Sequence, residues 1–333
     1  MSGRSGRPIR VGFVGAGAVA TRHARTLLDL GDARVVAVAD PATERARELA
    51  AMTGAAAYPD WRELLDRERL DALYICVPPF AHGEPELAAV AAGLPFFVEK
   101  PLALDLATAE RVAAAVRRAG LVTATGFHWR ALDTVARARE LLRDRPARLL
   151  LGYWLDRMPP AAWWRRRDRS GGQMLEQAVH VLDLARVLVG EVTAVHALGS
   201  RAPWRDDPDG DVDDAATASL AFASGAVGSV SATCLLGWHH RMGLALFAEG
   251  LAVELTEDEM TVRDAAGETF MRADGSAKAR TDRDFLDAVR GDGNRVRAPY
   301  QEALGTQRLG YAIARSAEER RPVLLDQAGM VLG

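Results

Sequence analysis

Short apolar runs alternate with alanine-rich amphipathic stretches from Ile9 to about Trp129. Runs of β-branched and other apolar residues predict strands at 9–15, 34–40, 72–78, 95–101 and 121–127. Apolar positions at helical spacing predict helices at 42–52, 84–93 and 107–120. Because a parallel return between strands needs a crossover, this alternation predicts a parallel sheet covered by helices on both faces. The expected fold class of residues 1–129 is therefore α/β and doubly wound.

The pattern changes after Trp129. Further helices are predicted at 131–144, about 174–189, about 282–290 and 300–317, with a strand near 148–155. Alternation over 216–236 predicts a hairpin with Ser224 and Gly225 at its turn, and extended segments continue to residue 264. Residues 130–333 are therefore expected to form an α+β domain with a large, open, mainly antiparallel sheet. The late helices could pack back on the first domain.

Composition and charge narrow the class of partners. The chain has 333 residues, 49% of them hydrophobic and 26% charged, which is ordinary for a globular protein with a sizeable core. The formal net charge is −3 and arginines are interspersed with acids, so no nucleic-acid partner is expected. No apolar run reaches the ~20 residues of a membrane span, and residues 1–10 lack the apolar stretch of a signal peptide. A cytoplasmic protein without a membrane partner is expected, with Cys76 and Cys234 as reduced thiols.

A glycine-rich turn links the first predicted strand to a helix. It reads Gly15-Ala16-Gly17-Ala18-Val19-Ala20. Gly15 suits a tight turn, Gly17 lets the backbone approach a pyrophosphate, and Ala20 is small enough for close packing of helix on strand. Ala18 and Val19 begin the helix, whose amino end offers amide donors to phosphates. The pattern alone is a weak signal, but its place at the first strand-to-helix turn predicts a Rossmann dinucleotide-binding domain.

Asp40 ends the second predicted strand, 25 residues after Gly15. An acid at this place can accept hydrogen bonds from the adenosine ribose hydroxyls of a dinucleotide, and its charge would repel a 2′-phosphate. NAD is therefore the expected cofactor, and NADP is less favoured. The alternative for Asp40 is a turn residue before Pro41.

Lys100 stands out because Lys278 is the only other lysine among 42 basic residues. Arginine stays charged at any working pH, whereas a lysine ammonium can be tuned to exchange protons near neutrality. Lys100 ends a predicted strand, and Pro101 restricts its backbone to extended geometry. The alternative is a solvated surface lysine, which is less expected in a chain whose surface positions carry arginine.

Ligands of doubly wound sheets bind at the carboxyl ends of the strands. Residues 76–82 and 98–101 follow two of the predicted strands and are expected to face the cofactor. The expected cofactor contacts in these segments are Val77, Pro78, His82, Glu99 and Lys100. His82 is expected to cap or line the cleft, and Glu99 to orient a helix or the nicotinamide ribose.

The helix predicted within 170–190 carries Glu176, His180 and Asp183 at i, i+4 and i+7. This spacing puts them on one face, where a carboxylate could orient the histidine for proton transfer near neutrality. Three interpretations are open: a solvated acidic stripe, a carboxylate–histidine metal site, and an acid–base face that acts on a substrate together with Lys100. The metal site is the weakest, because no second histidine and no cysteine lies nearby.

Several motifs occur in one order along the chain: GAGAVA, AD, CVPPFAH, EKP, GFHWR and SGGQMLEQAVHVLDLAR. In this order and spacing they resemble the Gfo/Idh/MocA family of NAD(P)-dependent sugar and polyol dehydrogenases, from about residue 9 to the end. The resemblance implies that Lys100 and His180 are the catalytic lysine and histidine. The chain departs from the family pattern at Glu176, where an aspartate is usual, at Gln177-Ala178, where the second residue is commonly glycine, and at His128, where asparagine is frequent.

The residues and the resemblance both imply hydride transfer between nicotinamide C4 and a secondary alcohol carbon of a sugar, sugar derivative or cyclitol. His180 would take the hydroxyl proton, and Lys100 would stabilise the charge that develops on the same oxygen. Glu176 would hold a neighbouring hydroxyl or orient His180. Two other classes stay open: a redox-neutral, NAD-dependent glycoside-cleaving enzyme, and a non-catalytic regulator that binds dinucleotide or sugar. A homodimer or homotetramer through the open sheet is expected.

Residues 159–172 supply the aromatic faces and planar hydrogen-bond donors that commonly hold sugars. Trp163, Trp164 and Arg165 are therefore expected at the substrate mouth. His128 and Arg130 are further candidates for contact with the substrate. The alternatives are a packed loop for the two tryptophans and a structural role for Arg130.

Overall fold

The computed structural model describes residues 7–202 and 209–332, which fold as two compact units. The first unit is made of the stretch that ends at Ala103, Ala107–Gly126 and Lys278–Gln301. The second unit is made of Leu104–Leu106, Phe127–Ala277 and the stretch that begins at Glu302. The sequence assigned Lys278–Gln301 to the second domain, with the provision that late helices could pack back.

The first unit contains a parallel sheet of six strands in the order β3-β2-β1-β4-β5-β6. The strands are β1 (Ile9–Val14), β2 (Ala33–Ala39), β3 (Ala56–Tyr58), β4 (Ala72–Ile75), β5 (Phe96–Val98) and β6 (Thr123–Thr125). The helices that run mostly within this unit are α1 (Ala18–Leu30), α2 (Thr43–Thr53), α3 (Trp61–Arg67), α4 (Glu84–Ala91), α5 (Leu106–Ala119) and α10 (Ala277–Arg290). The predicted Rossmann sheet is confirmed, and β3 and α3 add to the elements that the sequence predicted.

Both faces of the sheet are buried at β4, β5 and β6, as their near-continuous apolar sequences predict. Phe13 of β1 and Tyr74 of β4 are fully buried. The Tyr74 ring stacks on the rings of Phe13 and Phe97, each at a centroid distance of 5.0 Å. Close packing of this kind fixes the positions of the strands, and with them the positions of the residues at their carboxyl ends.

The second unit contains a sheet of nine strands in the order β14-β13-β12-β11-β7-β10-β9-β8-β15. The strands are β7 (Leu149–Arg157), β8 (Val192–Ser200), β9 (Ala215–Phe222), β10 (Val227–Leu236), β11 (Arg241–Ala248), β12 (Leu251–Thr256), β13 (Glu259–Asp264), β14 (Gly267–Arg272) and β15 (Val323–Leu324). Neighbouring strands are antiparallel except β7 and β10, which run parallel. The predicted mainly antiparallel sheet is confirmed, including the hairpin at Ser224 and Gly225.

Helices pack on one face of this second sheet. α6 (Asp133–Asp144), α9 (Val179–Val189) and α11 (Tyr300–Glu319) contribute most of the helical residues of this core. The short helices α7 (Arg167–Ser170) and α8 (Gln173–Glu176) also belong to this unit. Along β7, Leu150 is fully buried whereas Leu149 and Leu151 are 37% and 41% exposed, so the opposite face is open. Association of copies through that face stays a prediction. Within the described ranges, no helix is both long and apolar enough to cross a membrane.

The single helix predicted at about 174–189 is interrupted. α8 ends at Glu176 and α9 begins at Val179. The amide of Ala178 donates to the carbonyl oxygen of Gln173, five residues back, so the regular helical ladder is broken at this point. The prediction of one continuous helix was therefore wrong, and Glu176 and His180 lie on either side of a turn.

Candidate active site

The glycine-rich turn of the first unit lies against the end of β4. Gly15 has φ of 94°, and a Cβ built on it would collide with the carbonyl oxygen of Cys76. Only glycine fits both constraints. A Cβ built on Gly17 would meet no atom within 4 Å, so the backbone there is open to a ligand. Ala20 is fully buried, as predicted for the small residue where helix packs on strand, and Val19 beside it is 41% exposed.

Asp40 clamps the glycine-rich turn to the end of β2. Its carboxylate accepts hydrogen bonds from the amides of Ala16 and Ala42, each at 2.8 Å. Asp40 therefore has the turn role that the sequence left as an alternative. A carboxylate offers about four lone pairs, so two backbone bonds leave acceptor capacity for a ribose. That ribose contact stays a prediction.

The segment after β4 turns inward at His82. Val77 and Pro78 are half-buried, whereas the His82 side chain has no exposed surface and lies with Nδ1 2.5 Å from Glu86 Oε1. The other oxygen of Glu86 accepts the amide of Gly83 at 2.6 Å. This pair closes the amino end of α4. The cofactor contacts predicted for Val77, Pro78 and His82 stay predictions, and the buried position of the His82 ring favours the capping role.

Glu99 and Lys100 follow β5 directly. Glu99 is buried, and its Oε2 accepts the amide of Lys100 at 3.2 Å. A Cβ on Gly126 would collide with the same oxygen, so the end of β6 forms a wall against the carboxylate. Lys100 is half-buried, and its peptide bond to Pro101 is cis. Lys100 lies at a strand end as the sequence predicted, while the direction of its amine and its catalytic role stay predictions.

His23 contacts the buried Glu99 carboxylate, and the sequence analysis did not identify it as a site residue. Its Nε2 lies 2.9 Å from Glu99 Oε1, and its Nδ1 lies 2.7 Å from Asp282 Oδ1 on α10. Burial opposes the charge of His23, but Asp282 and Glu99 outweigh it and raise the His23 pKa to about 9. Burial likewise opposes the charge of Glu99, but His23, Arg22 and Lys100 together outweigh it and the Glu99 pKa falls to about 2. A signal existed, because His23 is the one polar member of the buried stripe of α1.

In the second unit, four aromatic rings surround His180. Ring centroids lie 5.9 Å away for Phe127, Trp129 and Trp154, and 5.1 Å away for His128. Trp129 and Trp154 are nearly parallel to the imidazole, and the other two rings meet it edge to face. The structure thus fixes the orientation of His180 by packing.

His128 and Glu257 form a pair beside this cluster. His128 Nε2 lies 3.1 Å from Glu257 Oε1, and the two side chains are 14% and 29% exposed. Glu257 follows β12 and was not foreseen from the sequence, which places it 129 residues after His128. The pair positions a polar ring next to His180, and the predicted contact of His128 with substrate stays a prediction.

Glu176 is held by Trp164. The indole Nε1 of Trp164 donates to Glu176 Oε2 at 2.8 Å, and Trp164 is only 1% exposed, packed with Val212 and Cys234. This is the packed-loop alternative for Trp164, because a ring so deeply buried offers no face to a sugar. Trp163 and Arg165 are half-buried, and Arg165 Nε donates to the sulfur of Met158 at 2.8 Å. Their contact with substrate stays a prediction.

Arg130 and Asp183 form a buried ion pair. Arg130 donates from Nε and NH2 to the two oxygens of Asp183, each at 2.7 Å, and Thr306 Oγ1 donates to Asp183 at 2.7 Å. Burial opposes the Arg130 charge, but Asp183 outweighs it and the Arg130 pKa is raised. The pairing gives Arg130 the structural role left open by the sequence. Both oxygens of Asp183 accept hydrogen bonds from Arg130, so this carboxylate is not assigned to the orientation of His180. Substrate contact by Arg130 stays a prediction.

Within residues 7–202 and 209–332, no three His, Cys, Asp or Glu side chains are grouped so as to hold a metal ion. The polar side chains that the structure brings together instead form one group of three and four pairs, each with defined partners. In the first unit these are His23–Glu99–Asp282 and His82–Glu86, and in the second Trp164–Glu176, His128–Glu257 and Arg130–Asp183. The chemistry suited to such pairs is proton transfer and hydrogen bonding.

Comparisons with known proteins confirm the resemblance read from the motifs. Residues 9–127 match a family model described as "Oxidoreductase family, NAD-binding Rossmann fold", and residues 145–251 match the GFO/IDH/MocA C-terminal domain. The chain is 29% identical to the myo-inositol 2-dehydrogenase of Thermotoga maritima, over 96% of this chain and 99% of that protein. It is 30% identical to the inositol 2-dehydrogenase of Streptomyces avermitilis, over 84% of each.

A solved structure of levoglucosan dehydrogenase in complex with NADH and levoglucosan has the same fold. The TM-score is 0.86 at 24% identity, with 96% of this chain and 100% of that chain covered. At this identity the likeness shows the fold. Together with the two family matches and the inositol dehydrogenase relatives, it leads to one conclusion: the chain belongs to the GFO/IDH/MocA oxidoreductase family, with an NAD-binding Rossmann domain as its first part.

Proposed function

We propose that this oxidoreductase is an NAD-dependent dehydrogenase acting on a secondary alcohol of a sugar, sugar derivative or cyclitol. Two inositol dehydrogenases resemble it over most of its length, which supports this substrate class. Lys100 and His180 of the family motifs are both present. A regulator that only binds sugar would not need them.

The residues of the first unit fit a dinucleotide. The open backbone at Gly17 allows close approach of a pyrophosphate, and the amides at the amino end of α1 are donors for its oxygens. Asp40 supplies acceptors for ribose hydroxyls and a charge that disfavours a 2′-phosphate, which supports NAD over NADP. When bound, NAD supplies the carbon that accepts the hydride.

The chain's own residues move one proton and stabilise one oxygen. His180 takes the proton of the reacting hydroxyl; because Nδ1 of its ring is buried, we assign this transfer to Nε2. Lys100 donates a hydrogen bond to the same oxygen as negative charge develops on it. Glu176, oriented by Trp164, accepts a hydrogen bond from a neighbouring hydroxyl.

The enclosure of His180 by four aromatic rings is the observation that carries this proposal. A general base contributes only when it is held at hydrogen-bonding reach of the proton, and such a base typically adds about 10²–10⁴-fold in rate. A solvated acidic stripe, the bland interpretation of this helix, would leave the ring exposed. His180 is instead 6% exposed.

The proposal is tested by assaying a panel of inositols, aldoses and sugar acids with NAD and with NADP. Absorbance of the reduced nicotinamide and chromatography of the sugar are followed together. We expect at least one polyol or sugar to yield NADH in equal amount to the ketone formed. Consumption of a glycoside without net NADH would indicate the redox-neutral enzyme, and no turnover with detectable binding would indicate the regulator; either result would contradict the proposal.

A further inference from the structure

A buried charged network lies behind Lys100 and has no part in the proposed transfer of hydride and proton. It consists of His23 on α1, Glu99 at the end of β5 and Asp282 on α10. We propose that His23 is a positioning residue for Lys100: as an imidazolium between Glu99 and Asp282, it fixes the carboxylate that holds the Lys100 peptide nitrogen. This inference rests on the proposed role of Lys100.

The geometry around His23 favours a doubly protonated ring. Both nitrogens lie within hydrogen-bonding distance of a carboxylate oxygen, 2.9 Å to Glu99 and 2.7 Å to Asp282. A neutral imidazole carries one N–H, so its second nitrogen would set a lone pair against a lone pair. His23 is 2% exposed and Asp282 fully buried, so water cannot bridge the mismatch. The raised His23 pKa, about 9, agrees with this state.

Rings and charges on every side restrict the imidazolium. Phe97 and Tyr74 pack against it with centroids 4.8 and 5.3 Å away. Arg22 NH2 lies 3.3 Å from both His23 Nε2 and Glu99 Oε1. The titratable groups that face the network from other strands are the Tyr74 hydroxyl and the Cys76 thiol, and burial raises the pKa of both well above their ordinary values. Neither ionises near neutral pH, so the charges that act on the network are those of His23, Arg22, the two acids and Lys100, which lies beside Glu99.

The link from His23 to Lys100 runs through the two oxygens of Glu99. Oε1 is bound by His23 and Arg22, while Oε2 accepts the Lys100 amide and touches the wall at Gly126. The carboxylate therefore cannot rotate without breaking the bond to His23. Lys100 begins at the atom that this carboxylate holds, so the direction of its side chain depends on the network.

α10 adds a third support. Its Phe285 meets the rings of Tyr74 and Phe97 edge to face, with centroids 5.6 and 5.8 Å away. Asp282, one helical turn earlier, binds His23 from the side opposite Glu99. Residues of α1, of the end of β5 and of α10 thus meet at the His23 ring. We therefore expect a change at His23 to alter the position of Lys100, although His23 itself has no proposed contact with substrate.

The test is His23→Gln, compared with the exposed His240→Gln as a matched control. Glutamine can donate to one carboxylate but sets its carbonyl oxygen against the other. We expect kcat at saturating NAD and substrate to fall roughly 10- to 100-fold, as a small misplacement of a catalytic group does. The dissociation constant of NADH should change less than about threefold, since Gly15, Gly17 and Asp40 keep their side chains in this variant. The double variant His23→Gln/Glu99→Gln, which restores a donor–acceptor pair, should recover part of the lost kcat.

Each other outcome overturns the inference. An unchanged kcat shows that His23 does not position Lys100, and a joint loss of kcat and NADH affinity without rescue shows a purely structural role. If His23→Gln does not fold, nitrogen-15 spectra of histidine-labelled wild-type protein decide, because a neutral His23 at pH 7.5 contradicts the network. Lys100→Ala separates a failure of the proposed function from a failure of this inference. If Lys100→Ala keeps wild-type turnover, the proposed function is wrong. If Lys100→Ala is inactive and His23→Gln is fully active, only the positioning role of His23 is wrong.

Discussion

Replacing Asp183 by asparagine tests whether this acid supports the fold or the chemistry. The asparagine side chain would keep the volume of the aspartate but would leave the Arg130 guanidinium, 8% exposed, without a counter-charge. Three hydrogen bonds of 2.7 Å converge on the native carboxylate, two from Arg130 and one from Thr306. The asparagine amide can replace one acceptor oxygen only, and its NH2 group faces a donor.

Removing one partner of a buried ion pair typically costs about 3–5 kcal/mol, a large part of the free energy of unfolding of an ordinary domain. With an m-value of about 2–3 kcal/mol/M, the urea midpoint of Asp183→Asn should fall by roughly 1–2.5 M. Tryptophan fluorescence follows the transition, because Trp129 and Trp154 lie in the core of the same unit. Below the transition, kcat should stay within about threefold of wild type.

The matched control is Glu44→Gln, which removes an exposed ion pair to Arg47 and should shift the free energy of unfolding by less than about 0.5 kcal/mol. If Asp183→Asn unfolds with the midpoint of this control and yet loses most of its kcat, the structural interpretation of Asp183 is wrong. The acid–base face that the sequence left open would then include Asp183.

Three further predictions follow from other contacts. The folded His23 pKa of about 9 lies above the ordinary 6.5, so its stabilisation is complete below pH 6.5 and is lost as pH rises through 9; urea titrations should show this slope in wild type and not in His23→Gln. Trp164→Phe removes the donor to Glu176 and should raise KM for the alcohol roughly tenfold, with NADH affinity unchanged by fluorescence titration; an unchanged KM would show that the indole only fills space. Asp40→Asn removes the charge that repels a 2′-phosphate and should shift the NADP/NAD ratio of kcat/KM roughly 100-fold towards NADP; an unchanged ratio would mean that Asp40 serves the turn alone.

The features that the sequence predicted well depend on residues that are close together in the sequence. The strand–helix alternation follows from local periods of apolar residues, and Gly15 sits where its φ of 94° and the nearby carbonyl of Cys76 admit no side chain. The open sheet of the second unit follows in the same way from period-two burial, as at Leu150. Such local rules needed no knowledge of distant parts of the chain.

The contacts that the sequence could not supply join residues far apart. His23 and Asp282 are separated by 259 positions, His128 and Glu257 by 129, and Asp183 and Thr306 by 123. No spacing rule pairs such residues, because their proximity is set by the packing of whole elements.

The wrong prediction of one continuous helix across Gln177 has a different cause. Helical spacing of Glu176, His180 and Asp183 is compatible with both an unbroken helix and two short ones. The hydrogen bond from the Ala178 amide to the Gln173 carbonyl oxygen distinguishes the two cases, and it is a backbone feature. No glycine or proline, the residues that usually signal a helix break, occurs at this point of the sequence. The sequence left Trp164 open between substrate contact and a packed loop for a related reason: composition shows that an aromatic ring is present, but only packing shows whether its face is free.

The central claim is that Lys100 and His180 act on the same hydroxyl oxygen. A double-mutant cycle with Lys100→Ala and His180→Ala measures this most directly, with kcat determined at saturating NAD and alcohol. We predict that each single variant loses about 10²–10⁴-fold and that the double variant is no more than about tenfold slower than the worse single one, because groups that act as a unit are not additive. A single variant that keeps wild-type kcat, or losses that multiply in the double variant, would contradict the account.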